Sequence, residues 1–361
     1  MWTLWLSNEY RGALISISWA VEMKNKTLSH IWTKKGFYPR YFLFLTHSFS
    51  FIWFHNEILK NLQKISGATE FGDNSLRNFR VDVFASEPDQ SDQGSAYHFR
   101  HWAKVKGAFQ LYPLPPISGG IQHAKGVIAS DGKRIVCGIG SANLTQNGWN
   151  DNIEVWSWDD GKSAPVLLSI LESFNSNDKR PISTEALNFW LKAIKGVAKS
   201  KSCFALENKG SRKFVHDRIN SWCAKNAPIV QANVVSPYYS KTFPEWFPQA
   251  CGVNKSTNVT FIADGSREHT TGPHQKRLKS LIAEISDEVK SVKAFHPVYQ
   301  SLPKPLHAKV FELIGKNGRM LQCFGSANFT SKGWNGECPH LRWDLLEGLM
   351  VSTLTFSPLQ S

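Results

Sequence analysis

Two stretches of this chain carry the same reactive side chains in the same order. His123-Ala124-Lys125 is followed by an apolar strand, a polar turn with glycine, and a second apolar strand through Cys137. Gly140-Ser141-Ala142-Asn143 comes next, and then Gly148-Trp149-Asn150. His307-Ala308-Lys309 opens the second passage, which runs through Cys323 to Gly325-Ser326-Ala327-Asn328 and Gly333-Trp334-Asn335. Lys and Asn are 18 positions apart in the first copy and 19 in the second. With 12 His and 29 Lys in 361 residues, one His-x-Lys is expected by chance, and the chain holds three. The third, at His274, has no Gly-Ser-Ala-Asn behind it. The signal is therefore the duplication of the whole pattern.

On an extended strand His123 and Lys125 point to one face, as do His307 and Lys309, because side chains alternate with period two. Each Gly-Ser-Ala-Asn segment then closes a strand where small residues allow close approach and Asn can offer its amide. Two copies around one cavity would gather two imidazoles, two ammonium groups and two carboxamides, a set suited to a tetrahedral phosphate. One imidazole attacks phosphorus, and the other, protonated, serves the leaving oxygen. The lysines stabilise the developing charge, so the scheme calls for no metal and no cofactor. Ser141 and Ser326 either bond the phosphate or stabilise their turns. Trp149 and Trp334 are expected to pack, and Cys137 and Cys323 to lie in the core.

These residues need a scaffold that presents two hairpins to each other. Tyr41–Phe49 and 229–238 read as buried strands, each followed by another at 81–85 and 259–263. Phe51, Phe54, Ile58, Leu59, Leu62 and Ile65 form one apolar helical stripe, and Leu278, Leu281, Ile282, Ile285 and Val289 form another. A further helix opens after Ser183 and Thr184, with Leu187, Trp190, Leu191 and Ile194 on one face. The resulting unit of strand, helix, strand and His-x-Lys hairpin is an α/β layer made twice.

The whole pattern resembles the phospholipase D superfamily, in its H-x-K…N branch. The resemblance covers 123–154 and 307–347. It implies duplicated phospholipase-D-like α/β domains, with mixed β-sheets flanked by helices and a pseudo-twofold axis through one shared active site. It also implies a phosphodiesterase with a phosphohistidine intermediate. Superfamily phospholipases carry Asp five positions after the motif Lys, where this chain has Ser130 and Ile314. That departure speaks against lipid hydrolysis. By the resemblance His123 is the nucleophile and His307 the general acid, the reverse staying open. A carboxylate downstream of each Asn is expected to steady the opposite histidine: Glu154 after Asn143, and Glu347 after Asn328, with Glu337 and Asp344 as alternatives. The expected divisions are an N-terminal extension (1–38), a first phospholipase-D-like domain (39–160), a basic helical connector (161–227) and a second domain (228–361).

Composition narrows the substrate. A net charge of +13 favours a polyanionic partner. Residues 190–225 hold nine basic side chains against two acidic ones, and Lys195, Lys199, Lys201, Arg212 and Lys213 are candidate contacts to a nucleic-acid backbone. Tyr238, Tyr239, Phe295, His296 and Tyr299 form either an aromatic rim for bases or part of the core. Nucleic acid, DNA in the first place, is the expected partner. The rivals are a phospholipid hydrolase and a catalytically idle nucleic-acid-binding module. Six cysteines without a C-x-x-C pair give no zinc framework and point to a reducing cytoplasm. No membrane span is expected, and Glu9 and Arg11 interrupt the apolar N-terminus, which speaks against a signal peptide.

Overall fold

The computed structural model describes residues 36–59, 61–62, 80–88, 109–114, 123–152, 154–161, 164, 167–168, 171–172, 184–195, 204–206, 212–239, 252–264, 273–295, 305–326, 328–330 and 342–347. In the first half, β1 (Tyr41–Phe49) leads into a short helix, α1 (Phe51–Trp53), which widens into a π-helical stretch at Phe54–Leu59. Then come β2 (Arg80–Pro88), β3 (Gln110–Pro113), the hairpin β4 (Lys125–Ser130) and β5 (Ile135–Gly140), β6 (Trp156–Asp159) and α2 (Thr184–Lys195). The second half has β7 (Phe204–Leu206), α3 (Arg212–Asn226), β8 (Ile229–Val235), β9 (Asn258–Ile262) and α4 (Pro273–Ile285). It ends with β10 (Ser291–Phe295), the hairpin β11 (Val310–Gly315) and β12 (Met320–Gly325), and β13 (Arg342–Glu347).

The two sheets repeat one plan. The first is ordered β3-β2-β1-β4-β5-β6 and the second β10-β9-β8-β11-β12-β13, with β7 added at its edge. In each, three parallel strands meet an antiparallel hairpin that starts from the His-x-Lys motif. The duplicated α/β plan with mixed sheets is thus the observed architecture. His274, the His-x-Lys without a partner, lies on α4 rather than on a strand.

Alternation sorts the first sheet's side chains between two cores. Phe42 and Phe44 of β1 join Val127, Ala129 and Val136 on the face that packs against Phe54, Ile58 and Leu62. Leu43 and Leu45 join Ile128, Cys137 and Ile139 on the other face, against Ala186, Leu187, Trp190 and Ile194 of α2. A sheet covered on both sides needs strands that are apolar throughout, which is how β1 reads. Trp190 is pinned there as well, because its indole N–H donates to Asp82 at 2.7 Å while Arg80 bonds the same carboxylate at 2.7 Å. The segment expected as a connector therefore supplies one layer of the first half. In the second half Trp222 and Cys223 of α3 and Leu278, Leu281 and Ile285 of α4 share one core with Val234, Phe261, Phe311 and Cys323. Among the described residues no helix is long and apolar enough to cross a membrane.

Candidate active site between the two hairpins

The motif segments are built alike down to single hydrogen bonds. Each motif lysine folds back on its own histidine: Lys125 Nζ donates to the His123 carbonyl at 2.7 Å, and Lys309 Nζ to that of His307. Both lysines are buried. The hydroxyl of Thr46, near the end of β1, accepts the Leu144 N–H at 3.0 Å and donates to the Ser48 carbonyl at 2.8 Å. Ser236, just past β8, does the same for Phe329 at 2.9 Å and Tyr238 at 2.8 Å. After each Asn, Thr145 and Thr330 donate their N–H to the Asn carbonyl at 2.8 Å. In the first copy two of the repeated glycines are required by space. A Cβ on Gly140 would meet the Trp156 ring and the Val155 carbonyl, and one on Gly148 the backbone of Asn143.

Contacts between the halves complete the arrangement. His307 Nδ1 lies 2.7 Å from Glu154 Oε1, and His123 Nδ1 lies 3.0 Å from the Ser326 carbonyl oxygen. Each imidazole is thus oriented by the opposite half, but by unlike partners. A carbonyl only accepts, so His123 carries its proton on Nδ1 and keeps the Nε2 lone pair when neutral. Glu154 is itself held by the Ser141 hydroxyl, which donates to Oε2, and by Asn152 Nδ2 at 3.3 Å.

Charge in the site is unbalanced. Burial pushes His123 well below its ordinary pKa, and Lys125, Lys309, His47 and His307 push it further. His307 is lowered too, by burial first, but the adjacent Glu154 carboxylate works against that shift. Glu154 is held below the usual carboxylate range: burial opposes its ionisation, but His307 and Lys309 outweigh that. Burial lowers Lys125 strongly and brings Lys309 down to about 7. Two lysine amines thus share one carboxylate in a buried site, where protonating both costs stability unless an anion binds.

Lys309→Met should therefore raise the melting temperature at pH 7 by about 2–4 °C in calorimetry. The unfolded lysine binds a proton up to its ordinary value, whereas the folded one releases it near 7. Stability from this group is accordingly lost as pH falls from about 10 to 7, and the variant's melting temperature should vary less across that window.

The structure brings together His123, Lys125, Ser326, His307, Lys309 and Glu154, with Asn143 and Asn328 just beyond the ends of β5 and β12. Asn143 Oδ1 accepts from the Ser48 N–H at 3.4 Å. One open alternative is decided and one expectation needs correction. Ser141 does not offer its hydroxyl to a phosphate: it donates to Glu154 and accepts the Val155 N–H at 2.9 Å, so it braces the carboxylate. Glu347 is opposite Leu321, while Trp343 is opposite Gly325. That register leaves Glu347 about 13 Å along the strand from the motif end, at 3.3 Å per residue, and the Ser326 carbonyl takes its expected place beside His123. Tyr239 belongs to the core, its hydroxyl donating to the Ile262 carbonyl at 2.8 Å. Lys195 ends α2, and Arg212 and Lys213 open α3. Lys199, Lys201, Glu337 and Trp334 lie outside the described residues.

One residue of the site escaped sequence reasoning. His47, near the end of β1, has its ring centroid 5.4 Å from that of His123. It lies outside the repeated motif, and the second copy has Pro237 at the matching place, so nothing in the sequence set it apart from the chain's other histidines.

No family model matches the chain, and no curated sequence is similar to it. Solved structures do share its fold. Yeast tyrosyl-DNA phosphodiesterase is 12% identical, with 86% of this chain and 84% of that chain covered and a TM-score of 0.54. A substituted form of the yeast enzyme gives a TM-score of 0.55 at 12% identity, covering 86% of this chain and 82% of that chain. The chain therefore has the fold of tyrosyl-DNA phosphodiesterase, a phospholipase-D-like fold of duplicated α/β domains.

Proposed function

We propose that this chain is a phosphodiesterase acting on nucleic acid through a phosphohistidine formed on His123. The observation that carries the reading is the unequal pair of histidine partners, a carbonyl on His123 and a carboxylate on His307. The neutral His123 Nε2 lone pair attacks phosphorus, and the bond to the leaving oxygen breaks. That oxygen takes the proton from His307 Nε2, whose imidazolium Glu154 stabilises. A bound diester's negative charge raises the pKa of His307 and so supplies the protonated form. His307, now neutral, takes a proton from water, whose oxygen attacks phosphorus. The P–N bond breaks and His123 is regenerated. Lys125, Lys309 and the carboxamides of Asn143 and Asn328 bear the charge on the non-bridging oxygens.

Support for nucleic acid as substrate comes from the net charge of +13 and from the fold shared with an enzyme named for a DNA linkage. The test is a panel of bis(p-nitrophenyl) phosphate, single-stranded DNA, RNA and phosphatidylcholine vesicles, each with and without EDTA. Release from the diester and from a nucleic acid is expected at the same rate with chelator. Turnover of the vesicles alone, or loss of all activity in EDTA, would defeat the reading.

A further inference from the structure

We propose that His47 is a third imidazole of this site and a positioning residue for His123, keeping that ring neutral in acid solution by carrying positive charge beside it. The inference rests on the reading that His123 is the nucleophile, and it adds a residue outside both motifs.

Three observations place His47 in this role. Its ring is 5.4 Å from that of His123 between centroids, tilted by 42°. Its position is fixed from both sides, since Thr46 receives the Leu144 N–H and Ser48 donates its N–H to Asn143 Oδ1. The third is asymmetry. Thr46 and Ser236 make equivalent bonds to the two motifs, and the residue after each is His47 in one half and Pro237 in the other. His123, the ring held by an uncharged partner, has the imidazole of His47 in ring contact beside it.

Two imidazoles this close do not both protonate readily, because each charge raises the cost of the other. The groups facing His123 decide which ring holds the proton. They are Lys125 on its own strand, Lys309 and His307 from the second half, and His47 on β1, all basic. The Ser326 carbonyl on its Nδ1 adds no negative charge. His307, by contrast, has Glu154. Positive charge on His47 therefore adds to that of the lysines, and the Nε2 lone pair of His123 survives to lower pH.

The test reads the His123 titration directly. The full chain, labelled with 13C and 15N at histidine, is titrated by NMR, with His123 resonances assigned from a His123→Gln spectrum. In His47→Gln the His123 midpoint is expected to rise by about half to one pH unit, a three- to tenfold gain in proton affinity. In His47→Lys, which keeps a charge at that place, the midpoint should stay at or below the wild-type value. An unmoved midpoint in His47→Gln overturns the proposal, as does an equal rise in both variants, since that would be a packing effect. Kinetics with bis(p-nitrophenyl) phosphate give a second reading: the acid limb of kcat/KM moves up in His47→Gln. A shifted midpoint in a protein that hydrolyses no diester would uphold the role of His47 and defeat the phosphodiesterase. Turnover with an unmoved midpoint would do the reverse.

Discussion

Replacing His123 by alanine should remove hydrolysis of bis(p-nitrophenyl) phosphate and of nucleic acid altogether, a loss of about 10⁴-fold or more in kcat. The size follows from the role: without an imidazole at 123 the covalent step loses its nucleophile. His307 is bonded to Glu154, and its remaining nitrogen bears the proton that the leaving group needs. Folding should survive, since His123 makes one side-chain hydrogen bond, to a backbone carbonyl, and belongs to none of the apolar cores. Circular dichroism and the melting temperature check this beside the rate. If His123→Ala still turned over within tenfold of the parent, the covalent scheme would be lost.

The second large effect is qualitative as well as quantitative. His307→Asn should slow steady-state turnover by about 10²- to 10⁴-fold and allow the phosphoenzyme to accumulate. The two steps differ in their need for His307. With a p-nitrophenolate leaving group the first step needs little protonation, so attack by His123 continues. The second step needs a base to activate water, and asparagine offers none. A rapid-quench experiment should therefore release one equivalent of nitrophenolate in a burst, with one phosphoryl adduct per chain in intact-protein mass spectra. The adduct should be acid-labile, as expected of a phosphorus–nitrogen bond, and should map to the peptide containing His123. An adduct on any other residue would reassign the nucleophile. An unchanged rate would remove His307 from the chemistry.

Much of this was legible because a duplicated motif is a local signal. His-Ala-Lys, the alternating strands behind it and Gly-Ser-Ala-Asn are contiguous, and local hydrogen bonds such as Lys125 Nζ to the His123 carbonyl follow from that contiguity. The apolar runs at 41–49 and 229–235 read as buried strands for the same reason: both faces of a covered sheet ask for apolar residues. Glu154 was also within reach, because the resemblance implies a carboxylate downstream of the first Asn. The same resemblance implies Glu347 as its counterpart, on the premise that the second copy repeats the first. The β12–β13 register breaks that symmetry, and a backbone carbonyl, which no side-chain pattern can announce, stands in its place. The role of Ser141 stayed open for a related reason, since whether a small hydroxyl faces a ligand or a neighbouring carboxylate depends on where Glu154 returns to the turn.

What the sequence determined on its own was the inventory: two histidines, two lysines and two asparagines, in matching frames and on matching hairpins. Period-two alternation and the steric demand of the glycines set those relations within a few residues. Only the tertiary structure decided that the two imidazoles are unequal, through contacts spanning 153 and 203 positions of chain, and only it brought His47 beside one of them. The physical reason is that a side chain's protonation depends on the charges and dipoles a few ångströms away, and these come from whichever segments the packing brings near, whatever their distance along the chain.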